Sequence, residues 1–261
     1  HSHLMAERQV KPMNERRYWV TGASSGIGAE LAELLLGMGH RVALSARSVE
    51  PLQAMAERYP HQVLVLAGDL CDRYQVQDIT NRINSTWGWL DTAILNAGTC
   101  EYLDASKFDA ALIERVCKTN LFATSYCIEA ALPLLRKSQN PHLVAVASSV
   151  TYLPLPRAEA YGASKAAVRY LFESLRLDLA HEGIDVTLVS PGFVETPLTQ
   201  KNDFPMPMRV TATTAAQHIV KRLDKRPYEI AFPWLFIRCL RLLGALPKAM
   251  QVAIGKRMAR T

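Results

Sequence analysis

Tyr18-Trp19-Val20-Thr21-Gly22-Ala23-Ser24-Ser25-Gly26-Ile27-Gly28 runs from a short apolar segment, through a turn spaced by glycines, into an apolar-striped stretch. Gly22 permits a tight turn. Gly26 lets the backbone approach a pyrophosphate, and Gly28 lets a helix pack closely on the strand before it. The N-terminus of that helix supplies N–H donors and the positive end of its dipole. Three glycines alone are weak evidence, but their place between the first strand and the first helix gives them weight.

Outward from this stretch, short branched apolar segments alternate with amphipathic ones. Strands are predicted over residues 18–20, 41–45, 62–67, 92–95, 143–147, 185–189 and 229–232, and helices over 28–38, 51–59, 72–87, 108–135, 158–181 and 213–224. Most strand segments are uninterrupted, as strands buried on both faces are. The alternation predicts an α/β fold: a single Rossmann domain with a doubly wound, parallel seven-stranded sheet and helices on both faces. No repeat, low-complexity tract or Gly/Ser linker divides the chain. Residues 1–14 read as a tag remnant, beginning His1-Ser2-His3-Leu4-Met5, and an N-terminal extension. Residues 15–233 read as the dinucleotide-binding domain with its catalytic site. Residues 234–261 read as a basic, amphipathic helical extension of the same domain. Residues 202–208, with Pro205 and Pro207, read as an insertion within it.

Of the 261 residues, 49% are hydrophobic, enough for a large core. Cys71, Cys100, Cys117, Cys127 and Cys239 are irregularly spaced with no C-x-x-C, which fits reduced thiols in a cytoplasmic protein better than disulfides or zinc. The seven histidines show no ligand spacing, so no metal is expected. No signal h-region and no run of about 18 uncharged apolar residues is present, so neither secretion nor a membrane span is expected. The net charge is +6, and it sits at the end: from Ile230 onward come Arg238, Arg241, Lys248, Lys256, Arg257 and Arg260 with no acid, while the rest of the chain balances. That distribution argues against a basic core for nucleic acid.

The end of the second strand discriminates between dinucleotides. A carboxylate there binds the ribose 2′-hydroxyl of NAD, and an arginine pairs with the 2′-phosphate of NADP. The segment reads Val42-Ala43-Leu44-Ser45-Ala46-Arg47-Ser48, with no acid before Glu50. Arg47 offers a planar fork and Ser48 a hydroxyl, so NADP(H) is the expected cofactor. Ser24 and Ser25 occupy the glycine turn, where a basic residue would strengthen the preference.

Tyr161-Gly162-Ala163-Ser164-Lys165 lies early in the helix predicted over 158–181. Residues four apart share a helix face. A tyrosine hydroxyl titrates near pH 10, and a neighbouring ammonium stabilises its phenolate, so Lys165 is expected to lower the Tyr161 pKa toward neutrality. Alone, Tyr-x-x-x-Lys is usually a surface pair. Here Ser148 precedes Tyr161 by 13 residues, at a strand end that points into the crevice where α/β ligands bind. Ser149 is the alternative one residue on. Asn120 lies within the predicted helix 108–135, Asn96-Ala97-Gly98 ends the fourth strand, and Pro191-Gly192-Phe193-Val194-Glu195-Thr196 follows the sixth.

Together with the Thr21-Gly22-(x)3-Gly26-Ile27-Gly28 spacing, this set resembles the short-chain dehydrogenase/reductase family over roughly residues 15–235. The resemblance implies that Tyr161 is the general acid/base, that Lys165 binds the nicotinamide ribose and lowers the tyrosine pKa, and that Ser148 hydrogen-bonds the substrate oxygen. It implies that Asn120 anchors a water in the proton relay. Thr21, Gly22, Ser24, Ser25, Gly26, Ile27 and Gly28 would cradle the cofactor, with Asp69 and Leu70 toward the adenine. Asn96, Ala97 and Gly98 would line the adenosine-side cleft, and Pro191, Gly192, Val194 and Thr196 would hold the nicotinamide. The family often has Asn-Asn-Ala-Gly, and here the first position is Leu95. By analogy with the family, the long helices 108–135 and 158–181 would pair into a homodimer or homotetramer.

The implied reaction is hydride transfer interconverting a carbonyl and an alcohol. The segments 150–156, 193–198 and 204–208 are mostly apolar, which suggests a hydrophobic small-molecule substrate. The contrasting reading is a non-catalytic dinucleotide-binding regulator or redox sensor on the same fold. For the basic C-terminal segment two readings stay open: a helix lying on an anionic bilayer, or one covering the substrate cleft or packing at a subunit interface.

Overall fold

β1 (Arg17–Thr21) sends Tyr18 and Val20 to one face of its sheet and Trp19 to the other, and all three are buried. Burial on both faces is what a central strand requires. β2 (Arg41–Ser45) and β4 (Thr92–Leu95) flank it in parallel, with Val20 opposite both Leu44 and Ile94. β3 (Val63–Val65), β5 (His142–Val146), β6 (Asp185–Pro191) and β9 (Glu229–Phe232) complete a sheet of order β3-β2-β1-β4-β5-β6-β9 in which every pairing is parallel. The seven-stranded parallel sheet is as expected. Its order turns back between β1 and β4, which opens a crevice beyond their C-terminal ends. The molecule is a computed structural model, and residues 14–199, 202 and 204–259 are described. The proposed tag remnant therefore lies outside the described residues.

Helices cover both faces. α1 (Gly26–Gly37), α2 (Val49–Arg58) and α7 (Ala212–Leu223) bury Leu31, Leu35, Leu52, Met55, Ala215 and Ile219 against the Tyr18/Val20 side. α3 (Arg73–Trp87), α5 (Ala123–Leu135) and α6 (Glu159–Leu179) bury Val76, Ile83, Cys127, Ala131, Val168 and Phe172 against the Trp19 side. Each large side chain so buried contributes about 1.5–3 kcal/mol.

The single helix expected over 108–135 is divided. Asp109 accepts from the Ala111 amide at 3.0 Å and starts α4 (Ala110–Cys117). A wide π turn follows at Lys118–Phe122, and α5 continues from it. Such a turn inserts one residue and recurs at functional sites. Here it carries the buried Asn120. The expected insertion around 202–208 is bracketed by β7 (Val194–Glu195) and β8 (Val210–Thr211), a parallel ribbon braced by an Arg209–Glu195 ion pair at 2.9 Å. Two residues per strand are too few for any alternation to be read. The C-terminal segment forms two helices, α8 (Trp234–Gly244) and α9 (Lys248–Ala259). No helix of the described residues is long and apolar enough to cross a membrane.

Candidate active site

The glycine turn is built for a ligand against its backbone. Gly22 and Gly26 have φ of +64° and +57°, a region that favours glycine. A Cβ at Gly22 would come 2.9 Å from the Ala97 Cα, and one at Gly28 would come 2.1 Å from the Gly22 carbonyl oxygen. Gly28 is thus the close-packing glycine. Ser25, at the N-cap of α1, is exposed and makes no side-chain capping bond, so the first N–H groups of the helix are not capped by it. Thr21 is buried, and its hydroxyl accepts from the Asn96 and Ala97 amides at 2.9 and 3.1 Å. It ties the ends of β1 and β4 together. Ile27 packs partly into the core.

Ser25, Arg47, Gly98, Lys118 and Thr119 line one cleft, with Pro197 and Leu198 opposite. Arg47 and Ser48 are exposed at the end of β2. Asp69 is exposed and accepts from the Cys71 amide at 2.9 Å, while Leu70 is buried beside it. Leu95 is buried in the core on the α3/α5 side of the sheet. Pro191 ends β6, and Gly192, Val194 and Thr196 follow it, Val194 within β7. The Thr196 methyl lies 3.3 Å from where a Gly26 Cβ would stand, so this loop meets the glycine turn across the crevice.

Deeper in, the four expected catalytic residues converge. Ser148 lies beside the Tyr161 phenol and acts to lower its pKa, and its hydroxyl accepts from the Val150 amide at 3.1 Å. Ser149 is buried in the 3-10 turn beyond it and is not among the groups acting on Tyr161. Lys165 is buried, donates to the Val146 carbonyl at 3.1 Å, and places Nζ 5.8 Å from the centroid of the Tyr161 ring. Asn120 is clamped on three sides. Its Oδ1 accepts from the Thr99 amide at 2.7 Å, and its Nδ2 donates to the Thr99 carbonyl at 2.8 Å and to Ser164 Oγ at 3.0 Å. Ser164 in turn donates to the Tyr161 carbonyl at 2.8 Å.

The electrostatics differ from the expectation in one respect. Burial pushes the Tyr161 phenol up to about 12, against the lowering effect of the Ser148 hydrogen bond. Burial pushes Lys165 down to about 8. Desolvation is the largest influence on each group in so enclosed a place.

Comparison with known proteins fits this geometry. Residues 17–205 match the family model for short chain dehydrogenases. The chain belongs to the short-chain dehydrogenase family. It is 31% identical over 249 residues to an uncharacterized oxidoreductase of Myxococcus xanthus, covering 94% of this chain and 98% of that one. It is 31% identical over 242 residues to an uncharacterized oxidoreductase of Mycobacterium tuberculosis, covering 90% and 95%. Two solved structures share the fold. A short-chain dehydrogenase from Streptomyces avermitilis superposes with a TM-score of 0.80 at 22% identity, covering 95% of this chain and 98% of that one. A short-chain dehydrogenase/reductase from Burkholderia phymatum in complex with NAD gives 0.80 at 22% identity, covering 88% and 92%.

Within this short-chain dehydrogenase, several groups at the site escape motif reading. Thr99 and Ser164 hold Asn120. Cys100 lies close enough to Lys165 and Tyr161 to act on both electrostatically. Arg169 donates from Nε to Thr151 Oγ1 at 2.9 Å, and Thr151 Oγ1 donates to the Ser148 carbonyl at 3.1 Å. Its spacing of four from Lys165 was the available signal. The apolar wall is aromatic: Tyr102 meets Phe204 at 5.1 Å, Phe204 meets Phe193 at 6.3 Å, and Phe193 meets Phe236 of α8 at 5.6 Å between centroids.

Proposed function

We propose that the protein is an NADP(H)-dependent oxidoreductase that interconverts a ketone or aldehyde and its alcohol on a hydrophobic small molecule. The observation that carries this reading is the convergence of Ser148, Tyr161 and Lys165, with Ser148 acting on the Tyr161 phenol and the Lys165 ammonium 5.8 Å from its ring centroid. A dinucleotide suits the glycine turn because the N-terminus of α1, uncapped by the exposed Ser25, offers its first N–H groups to a pyrophosphate, while Gly22 and Gly28 let the turn, β4 and the helix pack closely around it. Thr21, Ser24, Ser25 and Ile27 belong to that cradle. Arg47 and Ser48 would meet the 2′-phosphate, Asp69 and Leu70 the adenine, and Asn96, Ala97 and Gly98 the adenosine side. Pro191, Gly192, Val194 and Thr196 would hold the nicotinamide.

When bound, the nicotinamide supplies the hydride exchanged with the substrate carbon. Ser148 orients the substrate oxygen. Tyr161 gives its proton to that oxygen in reduction and recovers it in oxidation. Lys165 carries most of its charge below about pH 8 and stabilises the phenolate left behind. Asn120, at a turn whose hydrogen-bond ladder is widened, is the anchor of the relay water. The Tyr102–Phe204–Phe193–Phe236 wall favours an apolar substrate.

A homodimer or homotetramer through α5 and α6 is part of the proposal, supported by the exposed Tyr170 and Leu177 on α6. The activity test is NADPH and NADH absorbance over lipophilic ketones and aldehydes beside sugars, with Tyr161→Phe as control. Turnover of lipophilic carbonyls with NADPH, lost in Tyr161→Phe, is expected. Turnover of sugars alone, or unchanged rates in the variant, would overturn the reading.

A further inference from the structure

α8 has two unlike faces. Inward, Phe236 covers Gly192 so closely that an added Cβ would stand 2.8 Å from its ring, Ile237 is buried, and Gly244 abuts the Tyr152 carbonyl. This face packs on the end of β6 and on the 3-10 turn that holds Tyr152. Outward, Trp234, Leu235, Arg238 and Leu242 fall on one face by helical spacing, with Trp234 66% and Leu242 68% exposed. α9 follows with no buried residue and exposes Met250, Val252 and Met258. The two readings left open for this segment therefore belong to opposite sides of one helix.

Charge selects what covers the outer side. From residue 230 onward the chain has six basic residues and no acid, whereas the remainder is neutral. A two-fold contact with a second copy would set this cationic surface against itself, and like charges so juxtaposed are disfavoured. A sheet of lipid phosphates is complementary to it. Arginine and lysine stems can lie along apolar neighbours while their charged ends reach phosphate, and tryptophan settles at headgroup level. With no described helix long and apolar enough to cross, α8 would lie in the plane of the interface, and α9, whose apolar and basic residues are spread around it, would add its cations beside it.

We propose that α8 and α9 dock the protein on the surface of an anionic phospholipid bilayer, with Trp234, Leu235 and Leu242 entering the acyl boundary and Arg238, Lys248, Lys256 and Arg257 meeting the phosphates. The test is partition of the full chain onto phosphatidylcholine vesicles with and without phosphatidylglycerol. It is read by co-sedimentation and by tryptophan fluorescence of the unaltered chain against Trp234→Ser. Binding only with phosphatidylglycerol, weakened by salt, with a blue shift absent in Trp234→Ser, is expected. The triple variant Arg238→Glu/Lys256→Glu/Arg257→Glu should lower partition at least about tenfold, since each basic residue near the surface adds to binding, and should leave the circular dichroism spectrum unchanged. Failure of the full chain to bind, equal binding to both vesicles, or binding untouched in the triple variant would each overturn it. So would a lipid-free assembly in sedimentation equilibrium that the triple variant dissociates, because a second copy would then be the occupant.

Discussion

Arg169 on α6 grips Glu229 on β9 with two parallel hydrogen bonds, Nη1 to Oε1 at 3.0 Å and Nη2 to Oε2 at 2.8 Å. The same guanidinium reaches Ser190 Oγ at 3.0 Å and Thr151 Oγ1 at 2.9 Å. Tyr152 adds its phenol to Glu229, and the Arg241 guanidinium of α8 sits 5.2 Å over its ring. Tyr161, Lys165 and Arg169 lie four apart on α6, so the helix that carries the proposed acid/base also braces the turn that carries Ser148. Glu229→Gln should cost about 1–3 kcal/mol in urea unfolding, because it removes the more buried of the guanidinium's two carboxylate partners and leaves only Glu173, at 3.1 Å. Turnover should fall with little change in the KM for dinucleotide. An unchanged midpoint would remove the network from the stability of the fold.

Acid should destabilise this protein through two overlapping windows. His142 is buried with its Nε2 2.7 Å from Thr187 Oγ1, and burial, aided by Arg226 and Arg16, lowers its pKa from 6.5 to about 3. It stays neutral in the fold and takes a proton in the unfolded chain, so stability present above pH 6.5 is lost as pH falls toward 3. For Glu229, burial alone would raise the pKa, but the hydrogen bonds of Arg169, Tyr152 and Ser190 bring it from 4.5 to about 2. Its contribution is present above pH 4.5 and lost between there and 2. Unfolding free energy should therefore drop by about 1.4 kcal/mol per pH unit for each group inside its window. Denaturant titrations of the unaltered chain and of His142→Gln decide it. The variant should be flatter between pH 6.5 and 4.5, and matching slopes there would refute the His142 assignment.

Ser148 and Ser149 are adjacent, and of the two Ser148 is the one that acts on the Tyr161 phenol. Ser148→Ala should cut turnover by about 10²–10⁴, as loss of a group that orients proton transfer does. Ser149→Ala should leave turnover within a few-fold. Steady-state rates on the same substrate distinguish them, and the reverse ranking would transfer the role to Ser149.

Arg47 is the cation that argues for NADP(H). Arg47→Asp should weaken NADPH by about ten- to a hundredfold, as loss of a charged hydrogen-bond partner implies, and should improve NADH. Fluorescence titration with both cofactors measures it. Equal NADPH affinity in the variant would end the 2′-phosphate reading while leaving the Tyr161 chemistry standing.

Two glycines should respond oppositely to alanine. Gly28→Ala would drive a Cβ into the Gly22 carbonyl oxygen, so about 1–3 kcal/mol of stability should go, and dinucleotide affinity with it. Gly255 in α9 has nothing within 4 Å of an added Cβ, so Gly255→Ala should gain up to about 1 kcal/mol of helix propensity. Thermal melts of both variants test the pair, and a harmless Gly28→Ala would show that the turn can relax.

Much of the fold is legible because its signals are local. β1 reads as a buried strand from Tyr18-Trp19-Val20, and β5 from Leu143 to Val146. The boundaries that shifted were decided by single hydrogen bonds, such as the Asp109 cap on α4. The π turn at Asn120 leaves no trace in periodicity, since one extra residue in a long helix barely moves its apolar stripe. The short ribbon β7–β8 depends on the pairing of Val194 with Val210, which lie far apart in the chain.

By itself, the sequence determined the succession of strands and helices, the glycine turn, and the setting of Tyr161 and Lys165 four apart on one helix after a pair of serines at a strand end, because such spacing is set by local geometry. Only the tertiary structure put Ser148 beside Tyr161 and brought Arg169 to Glu229 and Thr151. It also decided that α8 covers Gly192 with Phe236 and turns Trp234 to solvent. Those relationships join residues distant in the chain, and only packing of the whole sheet brings them within hydrogen-bonding or van der Waals reach. The same packing encloses Tyr161 and Lys165 together, and burial shifts each toward its neutral form.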